Sequence, residues 1–384
     1  MAKQFDFDRL TERRHTDSVK WDDNSNPEAL PLWVADMDFE TAPAVTDAIR
    51  RRAAHGIYGY SFPGDSYYSA LTGWFERRHG WHIDRGHVVV TTGVVPAVSA
   101  ILKALVPPRG KVVLQTPAYN CFFSCISNNG LQTVESPLLR SGDSYVMNYD
   151  ELDRLCGDPL VTVFVLCNPH NPAGRVWTAD ELRRVDEICS RHGVTVLSDE
   201  IHCEIVMPGY SYTPFATVTT GRCVTCCSPS KAFNLAGLQT ANIVAGDAHQ
   251  RAAIDRAVNI NETCDIGPFG IVALEAAYNQ GDEWLDALCG YIAGNYALLC
   301  EMLKATGANV KVCRLEGTYL AWVDVSAVTD NVAELCLRLE NEYGVRLTAG
   351  TTYGADGEGY VRINLATQRA RLAEALERIA RALS

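Results

Sequence analysis

Lys231 stands in the stretch SPSKAFNLAGLQ, between two serines and an apolar run. A lysine in such company is either a surface residue with its stem laid over apolar neighbours, or a desolvated amine whose lowered pKa suits it to attack carbonyls. What else meets the amine decides between them. Four other short clusters carry polar groups: Thr91-Thr92-Gly93, Thr116-Pro117-Ala118-Tyr119, Asn168-Pro169-His170-Asn171 and Asp199-Glu200-Ile201-His202. Thr92-Gly93-Val94 precedes a helical pattern, and so offers backbone N–H groups and a positive dipole end to an anion. Ser228 and Ser230 add hydroxyl donors, and Tyr119 offers an aromatic face to a flat ring. Asp199 closes an apolar run and would be an expensive carboxylate unless it met a cation. A phosphate, a planar ring with a protonated nitrogen and an aldehyde would together satisfy all five clusters.

Each cluster ends a strand-like run. HVVVTTG, KVVLQTPAY, LVTVFVLCNPHNPAG, GVTVLSDEIH and RCVTCCS are β-branched or continuous apolar stretches closed by polar or turn residues. Between them lie helical patterns. VPAVSAILKALV has apolar helical spacing with Pro96 near its start, and TADELRRVDEICSRHG opens on a Thr cap and closes on Gly193. The alternation predicts an α/β fold with a mostly parallel sheet and helices on both faces. After about residue 280 the pattern changes to long helices, a TYLAWVDV strand and a last helix. The expected division is a large domain over 50–280 and a smaller α+β domain built from 1–49 and 281–384. In open parallel sheets, ligands bind outside the carboxyl ends of the strands, so the five clusters are expected to share one cleft. Pyridoxal 5′-phosphate (PLP) has the three features that they call for.

Bulk composition narrows the remaining classes. With 384 residues, 47% hydrophobic and 21% charged, the chain can bury a sizeable core. Its net charge of −12 argues against a nucleic-acid surface, which needs clustered Lys and Arg. No apolar run reaches the roughly 20 residues of a membrane span, and MAKQFDFDRLTERRH lacks the apolar core of a signal peptide. The expectation is a cytoplasmic protein without a membrane or nucleic-acid partner. Fourteen cysteines then read as reduced thiols. Cys223 and Cys226 form a C-x-x-C, but no second pair follows and the segment reads as a strand, so no metal is expected.

Nine blocks in order carry a resemblance: LPLWVADMDFETAP, HGIYGYSFPGD, TGVVPAVSAI, TPAYNCFF, NPHNPAGRVWT, SDEIHCEIV, SKAFNLAGLQ, EGTYLAWVD and GYVRIN. Together they resemble the fold-type I PLP enzymes, and within them the cystathionine β-lyase (C–S lyase) branch of the class I/II aminotransferase-like family. The resemblance implies that Lys231 holds the cofactor and then shuttles protons, that Asp199 pairs with the pyridinium nitrogen, and that Tyr119 stacks on the ring. Asn171 would hydrogen-bond the phenolic oxygen, near His202, where many aminotransferases carry a tyrosine. Gly93, Val94, Val95 and Ser228 would hold the phosphate, with Tyr60 reaching in from the other subunit of a homodimer. Arg362 would clamp the substrate α-carboxylate in a bidentate pair. Trp33, Tyr60 and Tyr353 would shape the pocket for the β-substituent. Two positions depart from the wider pattern: Ala173 replaces the threonine of NPTG, and Gln239 stands where many aminotransferases place a phosphate-binding arginine.

The implied reaction is α,β-elimination of L-cystathionine or a related L-cysteine S-conjugate to a thiol, pyruvate and ammonia. A PLP-dependent aminotransferase shares the early steps and is the alternative. From another class, some lyases of this branch also serve as protein partners of regulators.

Overall fold

The five runs do form strands of one sheet, joined by two more. In the computed structural model, which describes residues 5–23, 26–260 and 262–383, the seven strands are β1 (Val88–Thr91), β2 (Lys111–Thr116), β3 (Gln132–Pro137), β4 (Val161–Cys167), β5 (Thr195–Asp199), β6 (Cys223–Cys227) and β7 (Ala241–Ala245). Their spatial order is β1-β7-β6-β5-β4-β2-β3. Neighbours pair in parallel except β7, which runs antiparallel to both β1 and β6. The carboxyl ends of β1, β2, β4, β5 and β6 therefore share one edge of the sheet, joined there by the amino end of β7.

Side-chain alternation explains why β4 reads as an unbroken apolar run. Val163 and Val165 join one apolar cluster with Val98, Ile101 and Leu114, whereas Phe164 and Leu166 join another with Leu182, Val185 and Ile188. Both faces are covered, so neither tolerates polar residues. The same alternation separates the C-x-x-C pair. Residues three apart on a strand point to opposite faces, and Cys226 and Cys223 belong to opposite apolar clusters. All fourteen cysteines are free thiols.

The helices covering the sheet follow their local signals. Thr178 caps Ala179–His192 in a reciprocal capping box with Glu181, and Gly193 ends that helix in the left-handed conformation with φ 69°. Beyond the long helix Asp282–Ala305 lies a second, antiparallel sheet of β8 (Lys311–Val312), β9 (Leu320–Asp324), β10 (Thr348–Ala349) and β11 (Tyr360–Asn364), in the order β8-β9-β11-β10. The chain start joins it at a distance: Leu30–Pro31 pairs in parallel with Val345–Arg346. The helix Pro43–Ala54, which spans the expected boundary at residue 50, packs instead on Pro268–Gln280. Among the described residues no helix is long and apolar enough to cross a membrane.

Candidate active site

A cavity of about 280 Å³ opens at the shared edge of the main sheet, and all five polar clusters reach it. Thr92 and Gly93 come from the end of β1, Tyr119 from beyond β2, and Asn171 from beyond β4. Asp199 and His202 come from β5 and the turn after it, and Ser230 and Lys231 from the turn after β6. One edge of a parallel sheet thus collects residues spread over 140 positions of sequence, roughly as the strand-end rule requires.

The electrostatics turn on burial. Asp199 is 4% exposed, and burial pushes its carboxyl up to about 6, against the opposing pull of the Ile201 N–H and of Lys231. Its Oδ1 accepts the Ile201 N–H at 3.0 Å. Burial, helped by the nearby Arg362 guanidinium, brings the Lys231 amine down to about 8; Asp36 and Asp199 pull the other way. Lys231 is therefore the desolvated amine rather than the surface lysine. Its Nζ donates to the Ala35 carbonyl at 2.7 Å. Burial also pushes the Tyr119 phenol up and holds the His202 imidazole well below its ordinary range, so His202 is neutral.

Arg362, on β11, is the cation that reaches the cleft from the second sheet. It is 5% exposed. Its Nη1 donates to Asn171 Oδ1 at 3.1 Å and its Nη2 to the Trp33 carbonyl at 2.7 Å, with the guanidinium 4.9 Å from the Tyr353 ring centroid. Tyr353 is buried and meets Trp322 edge-on. It therefore backs the arginine.

Two expected residues, Trp33 and Ser228, sit differently from the sequence reading, and Tyr60 is exposed as a residue meant for the other subunit would be. The Trp33 ring is turned to its own side, with Nε1 donating to the Lys20 carbonyl at 3.1 Å and Arg346 stacked 3.9 Å over it; what it offers Arg362 is its carbonyl. Ser228 is buried behind the wall: its Oγ lies 2.6 Å from the Thr240 carbonyl and 2.9 Å from Ser230 Oγ. Ser230, Thr240 and Gln239 line the cavity in its place. Tyr60 lies in a segment exposed to solvent and does not line the cavity of its own chain. Sequence reasoning also missed Ala35, whose carbonyl takes both Lys231 and the Tyr319 hydroxyl. A backbone acceptor leaves no residue-type signal.

The groups present fit PLP. The helix Val94–Leu105 begins at Gly93 without a side-chain cap, so its first N–H groups are free to meet a phosphate. Gly93, Val94 and Val95 line the cavity at this end with Thr92 and Ser230. Asp199 needs a cation, which a protonated ring nitrogen would supply. His202 Nδ1 and Arg362 Nε are both buried and have no hydrogen-bond partner among the described residues, an arrangement that calls for a ligand.

Comparison with known proteins agrees with this geometry. The family described as Aminotransferase class I and II matches residues 27–379. Cystathionine beta-lyase PatB of Bacillus subtilis is 40% identical over 98% of this chain and 100% of its own length, and protein MalY of Escherichia coli is 32% identical over 96% of each. Among solved structures, PLP-containing cystalysin from Treponema denticola superposes with a TM-score of 0.96 at 29% identity, covering 99% of both chains. A PLP-bound C–S lyase from Staphylococcus hominis, complexed with the inhibitor L-cycloserine, gives 0.94 at 31% identity over 100% of this chain and 99% of its own. The chain belongs to the aminotransferase class I and II family, and within it to the branch that holds these PLP-dependent lyases.

Proposed function

We propose that the protein is a PLP-dependent carbon–sulfur β-lyase that eliminates the thiol from L-cystathionine or a related L-cysteine S-conjugate. The observation that carries this reading is the meeting of the Lys231 amine and the Asp199 carboxyl in one cavity, with the buried Arg362 guanidinium held behind its wall on Asn171 and close enough to act on the amine. When bound, PLP supplies an electron-poor ring that accepts the electron pair left at the substrate Cα. Lys231 would hold the cofactor covalently and, with its amine freed, would take the Cα proton on Nζ. Asp199 would keep a proton on the ring nitrogen. Tyr119 would stack on the ring, and Asn171 with His202 would hydrogen-bond its phenolic oxygen. Arg362 binds the α-carboxylate and so aims the Cα–H bond.

The Cβ–S bond then breaks, its electron pair leaving with sulfur, which is protonated to the free thiol. The three-carbon remainder departs as aminoacrylate, and water converts it to pyruvate and ammonia. With L-cystathionine the thiol is homocysteine.

The active form in this reading is a homodimer. Ile57, Tyr58, Tyr60 and Phe62 are all exposed on one segment, and burying each against a partner is worth roughly 1.5–3 kcal/mol. Tyr60 would then reach the phosphate of the partner's cofactor. We place the enzyme in the cytoplasm, where fourteen unpaired thiols stay reduced.

Supplying L-cystathionine and assaying pyruvate, thiol and pyridoxamine phosphate tests the reaction. Stoichiometric pyruvate and homocysteine are expected. Accumulation of a keto acid and pyridoxamine phosphate without thiol would make the protein an aminotransferase instead.

A further inference from the structure

Residues 33–39 run past the cleft without joining a sheet. An irregular segment has no ladder partner, so its buried polar groups must be paired in some other way. Here every carbonyl from Trp33 to Phe39 accepts from a side chain. Arg362 takes Trp33, Asn364 takes Val34 and Asp36, and Lys231 takes Ala35. Asn234 takes Met37 and Phe39, and Gln368 takes Asp38. Two of these donors, Arg362 and Lys231, are the groups that handle substrate. The position of the segment and the aim of those two cations are therefore one geometrical problem.

An ionic knot fixes the segment independently of the cleft. The Arg13 fork spans the Asp36 carboxylate at 3.1 and 2.8 Å and reaches Asp38 Oδ1 at 2.9 Å. Asp38, 1% exposed, also accepts from Lys20 Nζ at 3.0 Å and from Trp21 Nε1 at 2.8 Å. The fully buried Lys20 and Asp38 charges are tolerable only together, and the half-buried Arg13 and Asp36 complete the knot around them. None of its bonds is made to Lys231, so it does not depend on the contact between that amine and Ala35.

We propose that Asp36 and Arg13 are positioning residues for the elimination: they lock residues 33–36 so that the Trp33 carbonyl fixes Arg362 and the Ala35 carbonyl receives the Lys231 ε-ammonium. The inference rests on the reading of Lys231 as the cofactor-bearing amine and Arg362 as the carboxylate clamp. The charged and titratable groups facing that amine are Arg362, Asp36, Asp199 and Cys121, with neutral His202 beside it and the Tyr319 hydroxyl on the shared carbonyl. Asp36 favours the protonated amine both through its charge and through the carbonyl it holds in place.

The test is the pH dependence of cofactor capture by the cofactor-free protein, followed by the growth of visible absorption, because only the neutral amine attacks. The wild-type rate should rise with pH through a midpoint near 8. In Asp36→Asn the midpoint should fall by about half a unit or more, the scale of losing one nearby opposite charge. Asp36→Glu should largely restore it. In the loaded enzyme, Asp36→Asn and Arg13→Gln should each raise KM for L-cystathionine about tenfold, the equivalent of 1.36 kcal/mol, with a smaller fall in kcat. Arg13→Gln, at a half-buried position, carries the KM test if Asp36→Asn does not fold. Lower melting temperatures with midpoint and KM unmoved would make the knot merely structural and overturn the proposal alone. Capture mapped by borohydride to another lysine in the wild-type protein would overturn it together with the reading on which it rests.

Discussion

In the cleft, Asp199 and Arg362 are charged or ionisable groups withdrawn almost wholly from water, and Lys231 is half-buried with its amine on the Ala35 carbonyl; each has a partner in the same chain. At residues 57–62 the reverse holds: Ile57, Tyr58, Tyr60 and Phe62 are apolar or aromatic groups left in water. Both arrangements are unfavourable for an isolated chain, but they are relieved by different things. Those partners are neutral amides and carbonyls, so the buried charge calls for a small molecule carrying the complementary charges. A cluster of exposed aromatic residues calls for another protein surface. In the proposed reading the cleft takes up its cofactor, and the 57–62 segment takes up a second copy of the chain.

The comparison breaks most sharply at Lys231. Lys231→Ala removes the covalent anchor and the base together, so turnover and the visible absorption of the holoenzyme should both vanish. Borohydride reduction followed by peptide mapping of the wild-type protein checks the assignment; a label on a different lysine refutes it. Next in size is Asp199→Asn. The amide keeps the shape and the bond from the Ile201 N–H but cannot hold a proton on the ring nitrogen, and kcat should drop about 10²–10³-fold, as when one preorganised electrostatic contact is lost. Steady-state kinetics with a thermal melt as folding control decides it, and near wild-type turnover would remove the electron-sink role.

The other region is broken by subunit mixing. Lys231→Ala chains and Tyr60→Ala chains, each inactive as homodimers, should regain activity when exchanged, because one site of each heterodimer escapes both defects. Statistical mixing places the recovery at about a quarter of wild type. Exchange demonstrated by mass without recovery would mean that Tyr60 serves its own chain. The smallest effect should come from Trp33→Phe. The ring faces Lys20 and Arg346 while the carbonyl serves Arg362, so kcat/KM should stay within about threefold and stability fall by about 1 kcal/mol for the lost hydrogen bond. A large rise in KM would put the indole back in the substrate pocket.

Much of the cleft was legible because a parallel sheet converts sequence order into a spatial edge. Asp199 ends a buried strand, Asn171 and Lys231 each follow one, and that alone brings them together. Local chemistry was equally readable at the Thr178 cap and the Gly193 terminus. Tertiary choices were not. Ser228 and Ser230 are chemically identical and two residues apart, so only the path of the turn says which hydroxyl faces the cavity. Trp33 carries an aromatic signal but contributes a backbone oxygen. The reversal of β7 was also hidden, since Ala241–Ala245 is buried throughout and an apolar run does not encode its direction.

The pairing of Leu30–Pro31 with Val345–Arg346 has a consequence for the order of events during synthesis. The segment that carries the Trp33 and Ala35 carbonyls leaves the ribosome well before Arg362, Asn364 and Gln368, which hold it and are translated more than 320 residues later. At about 5–20 residues per second, the gap is on the order of 16–60 seconds. During that interval the main sheet, whose strands end at Ala245, can form while the early segment waits undocked. A nascent chain stalled before residue 345 should therefore hold a folded sheet whose segment 30–39 is still open to proteases, and that vulnerability should close only as the last strand and helix emerge.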